Sequence, residues 1–218
     1  REMYMECNCK AKSKLDRKKH IEAYYKPKIG KGLPDFEVLG WESKEAQYMR
    51  FEIFTSNVDI KNKKILDVGC GLGNLLEYLI DKGINIEYTG VDILEDMIES
   101  VKRKNLPGKF YCMDIFKQHP FERKSFDIVY TSGIFNLNMG NNMDFLKKAF
   151  GRFAELSKEK VVFNLLDRNS PDKEDTYYYY DHNQVVSMLL EQYPQVDSIE
   201  VVRGYLNNDF TVFCTMKI

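Results

Sequence analysis

The stretch Lys63-Lys64-Ile65-Leu66-Asp67-Val68-Gly69-Cys70-Gly71-Leu72-Gly73-Asn74 runs from a short apolar segment straight into three alternating glycines. Ile65 to Val68 reads as a buried strand. Glycine at alternate positions does not belong in a strand. Residues without a Cβ tolerate positive φ and let another group approach the backbone, so the chain is expected to turn sharply here beside a ligand. A helix follows at once, with Asn74 as its expected N-cap and Leu75, Leu76, Leu79 and Ile80 at helical spacing. Strand, glycine turn and helix together make a nucleotide-type pocket.

The spacing narrows the choice of ligand. A dinucleotide fingerprint, G-x-G-x-x-G or A, counted from Gly69 places Asn74 where a third small residue is needed. A P-loop fails as well, because no Gly-Lys-Ser or Gly-Lys-Thr follows the turn. What remains, Asp67-x-Gly69-x-Gly71-x-Gly73, resembles the first motif of the class I S-adenosylmethionine-dependent methyltransferases. That cofactor has no pyrophosphate, so no phosphate cradle is needed. The resemblance covers about residues 60 to 217.

At 218 residues, 44% apolar and 13% aromatic, the chain has enough apolar mass for one ample core. The division expected is an N-terminal helical extension or lid over residues 1–59 and a methyltransferase domain over 60–218. Lys plus Arg number 32 against 33 for Asp plus Glu, a formal charge of -1, which lacks the field of a dedicated nucleic-acid binder. No apolar run approaches the roughly 20 residues of a membrane helix, and no signal-peptide pattern opens the chain. The sequence starts at Arg1 rather than Met, so a short preceding piece is expected. Cys7, Cys9, Cys70, Cys112 and Cys214 form no C-x-x-C pair. Buried thiols at Cys70, Cys112 and Cys214, no metal at Cys7-Asn8-Cys9 and a reducing, cytoplasmic setting are the expectations.

Residues 1–20, rich in Lys and Arg, read as a solvated terminal helix with an RNA-touching arm as the alternative. His20 to Gly40 mixes aromatics with Pro27, Pro34, Gly30 and Gly32 and reads as a structured loop. Ser43 caps a helix reaching about Thr55. Beyond the glycine turn, strands are expected at 86–92, 109–113, 126–131, 160–166, 198–204 and 210–217, and helices at 95–104, 142–156 and 182–192. The alternation implies a parallel sheet covered on both faces. Tyr205 to Asp209 is too short for a crossover helix, so the last two strands form an antiparallel hairpin. The fold class is therefore α/β, a three-layer αβα sandwich. Its seven-stranded sheet is mostly parallel with the last strand antiparallel, and an N-terminal helical lid is added.

The resemblance assigns roles by position. Gly69, Cys70, Gly71 and Gly73, with Asp67, would hold the methionine half of S-adenosylmethionine. Asp92, ending the second strand, would accept both ribose hydroxyls, and Asp114 would meet the adenine amino group with Ile93, Met113 and Ile115 sandwiching the ring. Thr131 and Ser132, at the end of the fourth strand, would lie beside the methionine half. Arg50 would pair with the cofactor carboxylate, or else lie on the surface, and Trp41 would wall the site or pack at a helix start. On the acceptor side the candidates are Trp41, Phe135, Asn136 and Tyr180. Tyr177 to Tyr180 either line an aromatic pocket or alternate along an extended edge, the second being favoured for at least two of them.

A narrower resemblance, to a prokaryotic subgroup, rests on Gly40-Trp41-Glu42-Ser43, on Ser132 to Asn136 and on Tyr205, Phe210 and Thr211. It adds positions rather than a reaction. The tetrapeptide (Asp or Asn)-Pro-Pro-(Tyr or Phe) and a Pro-Cys nucleophile are both missing after the fourth strand, against adenine and cytosine C5 methylation. His20, His119 and His182 are scattered, and no residue is assigned as catalytic base. The function expected is methyl transfer from S-adenosylmethionine, leaving S-adenosylhomocysteine, to an N, O or other nucleophile of a small molecule. RNA or protein acceptors, or a non-catalytic binding module, are the alternatives.

Overall fold

β1 (Lys64–Val68) is buried at every residue but its first, because it lies near the middle of the sheet with helices on both faces. The structure, a computed structural model, describes residues 16–217. Ahead of β1 come α1 (Arg17–Tyr25), a single turn α2 (Asp35–Val38) and α3 (Lys44–Asn57). After it follow α4 (Asn74–Asp81), β2 (Glu87–Asp92), α5 (Glu95–Arg103), β3 (Lys109–Cys112) and β4 (Phe126–Thr131). The chain finishes with α6 (Asn142–Leu156), β5 (Ser157–Leu166), α7 (His182–Gln192), β6 (Val196–Arg203) and β7 (Asp209–Met216).

The seven strands lie in the order β3-β2-β1-β4-β5-β7-β6. β1 pairs in parallel with β2 and β4, whereas β7 runs antiparallel to both β5 and β6. This is the αβα sandwich expected, with its one reversed strand. Strand order turns back between β1 and β4, so a crevice opens at their C-terminal ends, where open α/β sheets bind ligands.

Alternation along the strands divides the core. Leu66, Val129, Phe163 and Val212 pack with Phe150 and Phe153 of α6 and Leu189 of α7. Their neighbours Ile65, Ile128, Val162 and Phe213 face the other way, onto Phe51 and Phe54 of α3 and Leu79 of α4. A third cluster joins Val38 to Leu72, Leu94 and Met97, with Ile21, Tyr25 and Leu39 packed against it. It fastens α1 and α2 above the glycine turn and the start of α5.

Several expectations need correction. Arg17 to Tyr25 form a helix and Asp35 to Val38 a turn of one, where a loop was expected over His20 to Gly40. The rest of the basic N-terminus, with Cys7 and Cys9, lies outside the described residues. β7 starts at Asp209, which belongs to the ladder opposite Leu166 rather than to the hairpin loop. Cys70 and Cys214 are buried, but Cys112 is exposed, because β3 is an edge strand with only Phe110 buried. Asn74 is the first helical residue, and Gly73 occupies the cap position at φ 78°. Freed from capping, the Asn74 amide donates to Asp35 at 2.7 Å and to Glu77 at 3.1 Å, tying α2 to α4.

Candidate functional site

Gly69, Gly71 and Gly73 all have positive φ, at 75°, 51° and 78°, so the chain leaves β1 through three left-handed steps. A Cβ on Gly69 would lie 2.2 Å from Ile134 Cγ2, and one on Gly73 would lie 2.6 Å from Val101 Cγ2. Glycine thus serves both the turn and the close seating of its neighbours. The end of β2 is bonded to the turn: Asp92 Oδ2 accepts the Gly71 N–H at 3.0 Å, and Oδ1 accepts that of Leu94 at 2.9 Å. Each oxygen keeps acceptor capacity for a further donor. Burial raises the Asp92 pKa, and the backbone N–H groups oppose that rise.

Asp67 lies under the turn and is buried. It accepts a hydrogen bond of 2.5 Å from Tyr88 of the adjacent strand. Burial pushes its carboxyl up to about 7, the Tyr88 bond working against the rise and Asp92 adding to it. Cys70 packs against Gly90, where a Cβ would come within 2.8 Å of its sulfur.

At the next strand end Asp114 Oδ1 accepts from Arg17 at 2.7 Å and from the Phe116 N–H at 3.2 Å. The Arg17 guanidinium lies over the rings of Phe116, at 4.9 Å, and Phe145, at 4.4 Å. Farther along α1, the Tyr24 hydroxyl is 2.7 Å from that of Tyr177. The helix therefore spans the crevice and touches both sides of it.

The loop after β4 is held from behind. The Gly133 N–H donates to Asn164 Oδ1 at 3.1 Å, and the Asn164 amide donates to Asp209 at 2.6 Å. Asp209 in turn takes two bonds from Arg50, at 2.5 and 2.8 Å, while a third Arg50 nitrogen donates to Ala46 O at 2.6 Å. Trp41 stacks 4.3 Å above the same guanidinium. A Cβ on Gly133 would meet its ring at 2.9 Å, so Trp41 closes back on the loop.

One cavity collects these elements. Of the residues expected to hold a cofactor, Asp67, Gly69, Cys70, Gly71, Asp92, Ile93, Met113, Asp114, Ile115 and Ser132 line it, as do Trp41 and Asn136. Gly73, Thr131, Phe135 and Tyr180 do not. Gly73 faces α5, Thr131 donates to Val68 O at 2.6 Å, Phe135 is core, and the buried Tyr180 donates to Phe135 O at 3.0 Å. Arg50 is neither at the cavity nor on the surface. Its guanidinium is buried on Asp209, and Gln47, one turn earlier on α3, lines the cavity instead. Tyr178 and Tyr180 pack into the core, Tyr177 faces the cavity and Tyr179 accepts from the Glu174 N–H at 3.0 Å, so the run divides between the two readings.

Arg17, Ile21, Tyr24 and Tyr25 also line the cavity and were not singled out from the sequence as site residues. Their spacing, i, i+4, i+7 and i+8, is one helical face and was the available signal. None of the three histidines lines the cavity, and no cluster of metal-ligating residues occurs among the described residues.

Comparison with known proteins agrees with this geometry. A family model described as "Methyltransferase domain" matches residues 65–158. A Mycobacterium tuberculosis protein named as a methyltransferase is 26% identical over 155 residues, covering 68% of this chain and 90% of the relative. The chain spans about half of other curated methyltransferases it matches, 54% of one and 48% of another. Among solved structures, magnesium protoporphyrin IX methyltransferase from Synechocystis, with bound S-adenosylhomocysteine, has TM-score 0.64 at 14% identity and covers 93% of this chain and 100% of its own. A Haemonchus contortus phosphoethanolamine N-methyltransferase in complex with S-adenosylhomocysteine has TM-score 0.69 at 14% identity, over 93% of this chain and 60% of that one. At such identity the two structures establish a shared fold.

Proposed function

We propose, from the premise that this chain is a class I S-adenosylmethionine-dependent methyltransferase, that it methylates a small-molecule acceptor enclosed between the glycine turn, the β4 loop and a lid drawn from the described residues 16–59 of the N-terminal extension. The observation that carries the reading is the joint placement of the glycine turn, Asp92 and Asp114 at three neighbouring strand ends around one cavity. S-adenosylmethionine supplies a methyl group on a sulfonium, so the leaving group comes with the cofactor.

The residues present fit that group. Asp92 has free acceptor capacity for the ribose hydroxyls, and Ile93, Met113 and Ile115 offer apolar surface for the adenine beside Asp114. Among the described residues Arg17 is the one cation lining the cavity, and its pairing with Asp114 leaves the Asp92 carboxylate as the charge that suits a ligand carrying a sulfonium. The methionine end would lie against Gly69 to Gly71, Gln47 and Ser132.

What the protein must then contribute is alignment of the acceptor. Roofing by α1 and Trp41 favours a small acceptor, whereas a polynucleotide would need an open, basic face. A reducing cytoplasmic setting is proposed with it, in keeping with the free thiols of Cys70, Cys112 and Cys214. No described helix is long and apolar enough to cross a membrane. The test is thermal unfolding with S-adenosylmethionine and with S-adenosylhomocysteine. Both should raise the melting temperature, and no rise with either ligand would overturn the reading.

A further inference from the structure

We propose that the acceptor compartment of this cavity takes an uncharged, flat, phenol-type molecule, its ring held among Tyr24, Trp41 and Tyr177 and its hydroxyl received by Asn136. The inference rests on the methyltransferase reading above and names the acceptor class.

Once the places assigned to the cofactor are set aside, part of the remaining wall is a closed circuit of contacts. Trp41 rests on Gly133, as its 2.9 Å approach to a Cβ there shows, and the adjoining Gly40 presses on Tyr24, whose hydroxyl would be 2.5 Å from a Cβ. Tyr24 reaches Tyr177 at 2.7 Å, and the next residue, Tyr178, donates its N–H to Asn136 O at 2.8 Å, back on the Gly133 loop. Aromatic walls favour a flat ring.

Charge selects further. Aromatic faces ordinarily attract an ammonium group, but here Arg50 lies 4.3 Å over Trp41 and Lys28 lies 3.9 Å over Tyr24. With Trp41 and Tyr24 each already carrying a cation, a cationic acceptor gains little from these rings. An anion lacks a free partner: among the described residues Arg17 is the one cation lining the cavity, and it is bonded to Asp114. A neutral acceptor is left.

Two buried polar atoms of the lining, Ser132 Oγ and Asn136 Oδ1, have no hydrogen-bond partner among the described residues. Ser132 falls to the cofactor, and Asn136 Oδ1 is placed to accept the O–H of the incoming molecule. In the transfer, an oxygen lone pair forms the new O–C bond while the C–S bond breaks and its electron pair stays on sulfur. The hydroxyl proton passes to water, and the products are an aryl methyl ether and S-adenosylhomocysteine. A phenol, ionising near pH ~10, can release that proton to water far more readily than an alkyl alcohol.

Trp41 is the only tryptophan of the chain, so its fluorescence reports on this compartment. Protein saturated with S-adenosylhomocysteine, its binding verified by calorimetry, is titrated with p-cresol, p-toluate and p-methylbenzylamine, three molecules of one ring size and three charges. p-Cresol should bind at least about tenfold more tightly than the other two, and Asn136→Leu should remove about that factor by leaving the hydroxyl unpaired. Asn136→Asp, which keeps an acceptor oxygen, should retain more of the affinity, and melting curves of both variants with S-adenosylhomocysteine check folding. Equal or tighter binding of the acid or the amine, no binding of any of the three, or an unaltered p-cresol affinity in Asn136→Leu overturns the inference. Failure of S-adenosylhomocysteine to bind is a different result and removes the methyltransferase reading itself.

Discussion

Arg50 and Asp209, 159 positions apart, are joined by two hydrogen bonds of 2.5 and 2.8 Å in a site where both side chains are buried. Removing one partner of a buried pair leaves the other charged and uncompensated, at a cost of about 3–5 kcal/mol. Asp209→Leu is expected to lose about that much in urea unfolding. The double variant Arg50→Met, Asp209→Leu should recover a large part, and a single variant as stable as the parent would show that the pair contributes nothing.

Asp92 is the residue on which cofactor affinity should depend most. Asp92→Ala would remove the proposed ribose acceptor and also free the Gly71 N–H that its carboxylate receives. Each hydrogen bond to a charged group contributes about 1.5–3 kcal/mol. Calorimetry with S-adenosylhomocysteine is expected to show affinity reduced by at least about tenfold, and most of the ligand-induced rise in melting temperature should vanish. Retention of full affinity would move the ribose away from β2.

The buried carboxyl of Asp67 makes stability depend on pH. Its pKa lies at about 7 in the folded chain against 3.8 ordinarily, so the folded state holds the proton more tightly than the unfolded one. The stabilising contribution of the protonated form is complete below the ordinary value and is lost as pH rises through about 7. Asp67→Asn, an uncharged amide of similar shape, should flatten the decline in unfolding free energy across that window. An identical pH profile in the variant would show that another group is responsible.

Gly69 separates two costs. Alanine there must adopt φ 75° and would bring its Cβ within 2.2 Å of Ile134 Cγ2. The left-handed conformation costs about 1–2 kcal/mol and overpacking about 1–3 kcal/mol more. Gly69→Ala should therefore lose both, and Gly69→Ala with Ile134→Ala should relieve the clash but not the backbone strain. Denaturant titration of both variants resolves the two contributions.

The central strands and the glycine turn were legible because their signals are local: alternating apolar residues, glycine where φ is positive, and an Asp at or beside the ends of β1, β2 and β3. Asp209 was assigned to a hairpin loop because polar residues flank it. Its role depends on Arg50, far off in sequence, and no local pattern announces such a pair. Arg17, Ile21, Tyr24 and Tyr25 were hidden differently. Basic neighbours put Arg17 in a solvated helix, while Pro27, Pro34, Gly30 and Gly32 put Ile21, Tyr24 and Tyr25 in a structured loop, although the face the four share is the one turned to the cavity. Asn74 shows a competition between levels, since its residue type favours a cap but the left-handed Gly73 already holds that place, leaving the amide to fasten α2.

Arg17 and Tyr24 lie on one short helix, about 10 Å apart along its axis at the usual rise per residue. One contacts Asp114, the carboxylate proposed to meet the adenine, and the other contacts Tyr177. A rod so short cannot be seated at one end and lifted at the other, so whatever docks α1 over the donor also prepares the roof for the second ligand. Thermodynamic reciprocity then requires each to change the other's binding by one common factor. Donor and acceptor are expected to bind cooperatively through the helix although they bear on different residues, and titrating S-adenosylhomocysteine with and without p-cresol would read that factor directly.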